Sequence, residues 1–169
     1  METIMILNII LILTGVAAIA SVVNFFDNRK KHAETVPMEV QLPGNLPIIS
    51  LSSNGNMLNF LIDSGSNISH ICAEYYDSLN AELIGTYEEG KVSGLGATNT
   101  GITMCTTTLK DTIGNEYKVN LSISNQLSAV TKSIETSTGV TVHGLLGTDF
   151  LKEYNCVIDF KSLEVYPKK

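Results

Sequence analysis

Apolar residues run almost without a break from Ile4 to Phe26, interrupted only by Asn8, Thr14, Gly15, Ser21 and Asn24. A run of that length is enough for one helix across the hydrocarbon core of a bilayer. Asp27-Asn28-Arg29-Lys30-Lys31 ends it abruptly. Residues 27–45 then show no apolar period, and Pro37, Pro43 and Gly44 break any regular element, so this segment is expected to be a polar tether. From Pro47 onward the pattern turns to β. Ile48-Ile49-Ser50-Leu51 and Met57-Leu58-Asn59-Phe60-Leu61-Ile62 flank Asn54-Gly55, whose two residues tolerate positive φ and mark a hairpin. Apolar positions between Ile68 and Leu83 fit one short helix, or a strand followed by a helix. Thr103–Leu109 and Tyr117–Ile123 alternate around Gly114-Asn115 and predict a second hairpin. Ser124–Gly139 is polar and rich in Ser and Thr, which predicts a loop with weak strand content. Val140–Gly147 predicts a strand entering a Gly-bracketed apolar pair. Thr148–Tyr154 predicts a short helix, with Thr148 as N-cap and Asp149 at the favourable end of its dipole. Cys156–Phe160 and Leu163–Tyr166 predict two closing strands.

Composition sharpens this outline. The 169 residues have room for one ordinary domain plus an accessory segment, and the high hydrophobic fraction, 44%, is concentrated in the first 26 positions. A net charge of −6 and the lack of any Lys/Arg stripe after residue 32 exclude a typical nucleic-acid binder. Cys72, Cys105 and Cys156 are odd in number and scattered, and His32, His70 and His143 form no cluster with them, so no metal site and no cofactor are expected. Such cysteines read as buried small hydrophobes in a reducing compartment. Ala18-Ile19-Ala20 offers a signal-peptide cleavage site as an alternative to an anchor. Against it, Glu2 is the one charge before the run, and the run continues past the Ala pair. With Arg29, Lys30 and Lys31 on its carboxyl side, a retained anchor places the rest of the chain in the cytoplasm, with those cations against the lipid headgroups.

The stretch with the most chemical content is Leu61-Ile62-Asp63-Ser64-Gly65-Ser66. A carboxylate at the end of an apolar strand is costly unless partners compensate it. Gly65 permits a tight turn that brings main-chain N–H groups towards Asp63, and Ser64 can both donate and accept. A strand delivering Asp-Ser-Gly into a tight loop suits a catalytic acid, although the tripeptide alone also fits an ordinary Asx turn. Gly94-Leu95-Gly96 lacks the third Gly, the Lys and the following helix of a phosphate loop, and fits a hairpin tip instead. Asp149 and Asp159 are read as structural carboxylates, since neither precedes a tight Gly loop. His70 is likewise read as structural.

Taken in order, these pieces resemble the retropepsin-like aspartic proteases, single-lobed relatives of pepsin. The resemblance covers about residues 46–166 and rests on three matches. Leu61-Ile62-Asp63-Ser64-Gly65-Ser66 is similar to the family's apolar-apolar-Asp-Thr/Ser-Gly-Ala/Ser, with Ser64 where viral members carry Thr. Gly94-Leu95-Gly96 falls about thirty residues later, at the place of the flap. Gly144-Leu145-Leu146-Gly147-Thr148-Asp149-Phe150-Leu151 looks like the family's Gly-apolar-Leu-Gly-x-Asp-Phe-Leu, and Ile158-Asp159-Phe160 like the strand after it.

The resemblance implies a mostly β, single-lobed barrel with one short C-terminal helix over residues 46–169, preceded by the tether and a transmembrane helix over 4–26. It implies Asp63 as the catalytic acid, Ser64, Gly65 and Ser66 as loop support, and Gly94, Leu95 and Gly96 as a flap over a bound peptide. One Asp-Ser-Gly loop is half a site, so it implies a homodimer that hydrolyses peptide bonds without metal or cofactor. A catalytically silent dimerisation or peptide-binding module is the alternative.

Overall fold

In the computed structural model, which describes residues 38–89 and 100–167, the first strand, β1 (Met38–Glu39), already belongs to the folded unit. It pairs antiparallel with the last strand, β10 (Glu164–Tyr166), and Met38, Val40 and Val165 are buried in the main core. The expected tether therefore does not extend to residue 45, since the folded unit already includes Met38. Two alternate side chains, Met38 and Val40, are apolar and face inward, a signal too short to register as a period. Among the described residues no helix is long and apolar enough to cross a membrane. The apolar run 4–26, residues 27–37 and the flap residues Gly94, Leu95 and Gly96 all lie outside the described residues.

The chain then enters β2 (Ile48–Ser53) and β3 (Asn56–Ile62), which pair in register from Ile48↔Leu61 to Ser53↔Asn56. Asn54 and Gly55 hold φ at +50° and +77°, the two left-handed residues that a two-residue hairpin turn needs. Leu58, Phe60 and Ile62 alternate inward along β3. Burying a side chain such as Phe60 contributes about 2–3 kcal/mol. After β4 (Ser69–Cys72) comes a 3-10 turn over Ala73–Ser78, so the strand-then-helix alternative holds there, with the tighter helix type. β5 (Ala81–Glu89) and β6 (Thr100–Lys110) pair antiparallel, and β6 pairs in turn with β7 (Glu116–Ser124). The β6–β7 turn is organised by Asp111, whose carboxylate accepts the N–H groups of Ile113 and Asn115 and the Tyr117 hydroxyl.

Helix α1 (Leu127–Thr138) occupies the segment expected to be a loop. Ser and Thr are weak helix formers in isolation because their hydroxyls compete for the backbone. Here those hydroxyls bond back along the helix, Thr136 to Lys132 O and Thr138 to Ile134 O. The stabilising term is tertiary. Leu127 packs with Cys72 and Leu145, and Ile134 with Ile48 and Val142. Gly139, at φ +74°, ends the helix by giving its N–H to Glu135 O at 2.8 Å. The described residues thus hold two short α-helices where one was expected.

β8 (Gly144–Leu146) leads into α2 (Thr148–Glu153), whose N-cap is Gly147 rather than Thr148. β9 (Val157–Asp159) and β10 close the chain. The larger sheet runs β2-β3-β8-β4-β7-β6-β5, and Ser52↔Lys110 joins β2 to β6, so six strands close into a barrel with β5 outside the ring. Two of its pairings are parallel, β3–β8 and β4–β7. The three cysteines are free, Cys72 and Cys105 buried.

Candidate active site

The parallel pairing of β3 with β8 positions Asp63. The ladder runs Phe60↔Gly144, Leu61↔Leu145, Ile62↔Leu146, and Asp63 extends it by giving its N–H to Leu146 O at 3.0 Å. Ser66 N–H returns to the Asp63 carbonyl at 3.2 Å, closing the loop. Gly65 N–H donates to Asp63 Oδ1 at 2.9 Å. A side chain at 65 would place its Cβ 3.1 Å from that same oxygen, so any other residue there would press on the Asp63 carboxylate. The Asp63 side chain is half-buried, Ser64 is exposed and Ser66 is buried. One carboxylate oxygen is thus held by the backbone, and no donor among the described residues bonds Oδ2. That combination suits a group that exchanges protons with something placed on it.

The loop is clamped from beneath by the segment that begins α2. Thr148 gives both its N–H (2.8 Å) and its hydroxyl (3.0 Å) to the Ser66 carbonyl, and Ser66 Oγ donates to Ile68 O at 2.7 Å. Asp149 accepts Ser69 N–H on Oδ2 (2.8 Å), and Ser69 Oγ–H (2.7 Å) and Phe150 N–H (2.8 Å) on Oδ1. Ser69 Oγ in turn accepts Gly147 N–H at 3.0 Å. The approach is close enough to exclude side chains. A Cβ on Gly147 would lie 2.7 Å from Ile68 O and 2.9 Å from Ser66 O, and one on Gly144 would collide with the His70 carbonyl. Each glycine of Gly-Leu-Leu-Gly is therefore dictated by a neighbouring strand or loop, not by its own φ.

Asp149 is a structural carboxylate, with both oxygens committed. Asp159 is one too: its Oδ1 accepts Lys161 and Ser162 N–H in the β9–β10 turn, and these bonds hold its carboxyl below the usual range. Ser69 was not singled out from the sequence, and Thr148 was read only as a helix N-cap. The Ser-x-x-Ser spacing from Ser66 to Ser69 carries no local signature, because their partners lie about 80 residues away. His70 was read as structural, yet the fold brings it close enough to feel the charges of both Asp149 and Asp63. Burial is the larger influence and holds its imidazole below its ordinary value, against the pull of those two carboxylates. Its Nδ1 is buried and has no hydrogen-bond partner among the described residues. Among the described residues no group of three or more His, Cys, Asp or Glu is placed to hold a metal ion.

No protein-family model and no curated protein matches the chain. Among solved structures it is similar to the EIAV protease complexed with the inhibitor HBY-793, at 19% identity, covering 66% of this chain and 89% of that one with a TM-score of 0.46. It is also similar to the retroviral protease-like domain of Ddi1 from Leishmania major, at 13% identity, covering 72% of this chain and 93% of that one with a TM-score of 0.40.

Proposed function

We propose that this chain is one half of an aspartic endopeptidase, tethered to a membrane by residues 4–26 with its folded unit on the cytoplasmic side. The observation that carries the proposal is the mounting of Asp63: a half-buried carboxylate at the end of a barrel strand, in a glycine loop locked to β8 and α2. Precise mounting on rigid elements is what a catalytic acid requires. The sequence contains one Asp-Ser-Gly, so the second carboxylate comes from a second copy across a two-fold axis.

Two carboxylates brought together share one proton, because both cannot ionise at contact distance. The ionised Asp63 takes a proton from water as that water attacks the scissile carbonyl. The protonated Asp63 of the other copy gives its proton to the carbonyl oxygen. The tetrahedral diol collapses as the first carboxyl gives its proton to the departing amine and one diol hydroxyl returns its proton to the second carboxylate. Ser64, exposed at the loop tip, is placed to brace one loop against the other. Gly94, Leu95 and Gly96 supply the cover over an extended peptide held by main-chain hydrogen bonds. Confinement of both copies to one membrane raises their effective concentration and favours pairing.

The test is a peptide-library digest by the full chain in detergent, wild type against Asp63→Asn, over a range of protein concentration and pH. Cleavage is expected to fall by at least about 10²–10⁴-fold on substitution, and wild-type specific activity to fall on dilution. Cleavage that survives Asp63→Asn refutes the proposal. Peptide capture without cleavage by either protein would favour a silent binding module built on the same fold.

A further inference from the structure

His70 sits in β4, and the strand registers fix where it faces. Leu61 of β3 pairs with Leu145 of β8, and Leu145 pairs with His70, so these three residues form one row across adjacent strands. Cross-strand partners project from the same face of a sheet, and residues two apart along a strand share that face. Asp63, two residues beyond Leu61, therefore emerges on the same side as His70. At about 4.8 Å between strands and about 3.3 Å per residue, their Cα atoms stand roughly 12 Å apart along the diagonal. In the row of Asp63 the intervening strand is continued by Gly147, which carries no side chain to stand between them.

The surroundings of the imidazole narrow what can act on it. β7 sets Ser122 beside it and β8 sets Leu145, neither of them titratable. From α1 the residues that pack towards β4 are Leu127 and Thr131. Cys72, on the same face of β4, has its thiol pushed up by burial and stays neutral. The carboxylates that reach His70 are Asp149 on α2 and Asp63 in the loop. Asp149 is tied to Ser69 and Phe150 by three hydrogen bonds, which leaves Asp63 as the neighbour whose charge changes in use. The Nδ1 of His70 is buried and has no hydrogen-bond partner among the described residues.

We propose that His70 is a positioning residue for Asp63, an acid-side switch whose protonated imidazole favours the ionised carboxylate and so extends the working range of the site to lower pH. The role rests on Asp63 being the reacting acid, but the coupling between the two groups can be read without any substrate. Coupling is reciprocal: whatever His70 does to Asp63, Asp63 does to His70. The full chain in detergent micelles, labelled in its three histidines, is titrated by NMR as wild type and as Asp63→Asn, with His70→Gln used to assign the resonance. Loss of the Asp63 charge is expected to lower the His70 midpoint by about 0.3 pH unit, the size of a unit-charge interaction near 10 Å in a high-dielectric setting. The His143 midpoint should not move. A His70 midpoint unchanged to within about 0.1 unit overturns the proposal, even if the enzyme cleaves peptides. In an active enzyme, His70→Gln should move the acidic limb of kcat/KM upward by a similar amount; a limb that stays in place also overturns it. Coupling by NMR in a chain that cleaves nothing would instead count against the endopeptidase assignment alone.

Discussion

Asp63 and Asp149 can be separated by the same chemical change, and the separation tests how the site is built. In Asp149→Asn one oxygen becomes an NH2 group. Either orientation then sets that donor against a donor, Ser69 N–H on one side or Ser69 Oγ–H and Phe150 N–H on the other. Hydrogen bonds to a charged acceptor contribute about 1.5–3 kcal/mol each, and a buried donor left unpaired costs a similar amount. Losing one such bond and weakening the others amounts to about 3 kcal/mol. The folded unit has roughly 130 residues and a melting entropy of about 0.27 kcal/mol/K, so Tm should fall by about 10 °C. In Asp63→Asn the amide oxygen can still accept Gly65 N–H, the one bond its side chain receives among the described residues. The expected Tm change there is under about 2 °C, within the range of substitutions that break no network. Thermal unfolding of both variants by circular dichroism gives the two numbers directly. An Asp149→Asn protein within about 2 °C of wild type, or an Asp63→Asn protein destabilised as much as Asp149→Asn, would refute this division between a structural and a chemical carboxylate.

Further outcomes follow from single contacts. Gly147→Ala forces a methyl against the carbonyls of Ser66 and Ile68, at an overpacking cost of about 1–3 kcal/mol. Because those carbonyls belong to the Asp63 loop, kcat should fall while the melting curve stays cooperative; unchanged kcat would show that the loop is not clamped from beneath. Gly139→Ala places a side chain at φ +74° in open space, so the expected loss is about 1 kcal/mol of strain alone, read as a shift in urea midpoint. No shift would mean that α1 does not end there. His143 accepts Asn59 N–H on Nδ1, and burial holds its imidazole below the ordinary value, as it does for His70. As pH falls below about 6.5 the unfolded chain takes up protons first, so stability should decline from there down to the folded-state values and then level off. Urea unfolding between pH 7.5 and pH 5 checks this, and His143→Gln should flatten the slope. A stability that rises on acidification over that range would contradict the assigned protonation states.

What the linear chain determined by itself is the set of features whose physics is local. Asn54-Gly55 made the hairpin because two adjacent residues accept positive φ. Leu61-Ile62-Asp63-Ser64-Gly65 announced a strand ending in an acid because alternation and a glycine are read from neighbours. The short α2 likewise followed from contiguous residues. Ser124–Gly139 was misjudged because its intrinsic propensities are weak, although Leu127, Thr131 and Ile134 at helical spacing and Gly139 after them were there to be read. Met38 and Val40 were assigned to a tether because two inward residues make no period; their burial comes from β10, more than 120 positions away. Only the tertiary structure decided the parallel seam of β3 with β8, the grip of Asp149 on Ser69 and the row that sets His70 near Asp63. Each of these joins residues about 80 positions apart, or runs through a strand that does, and no local preference encodes such a pairing. The strand that ends in Asp63-Ser64-Gly65 was therefore legible in the chain, whereas its support and its electrostatic neighbour arise from barrel closure.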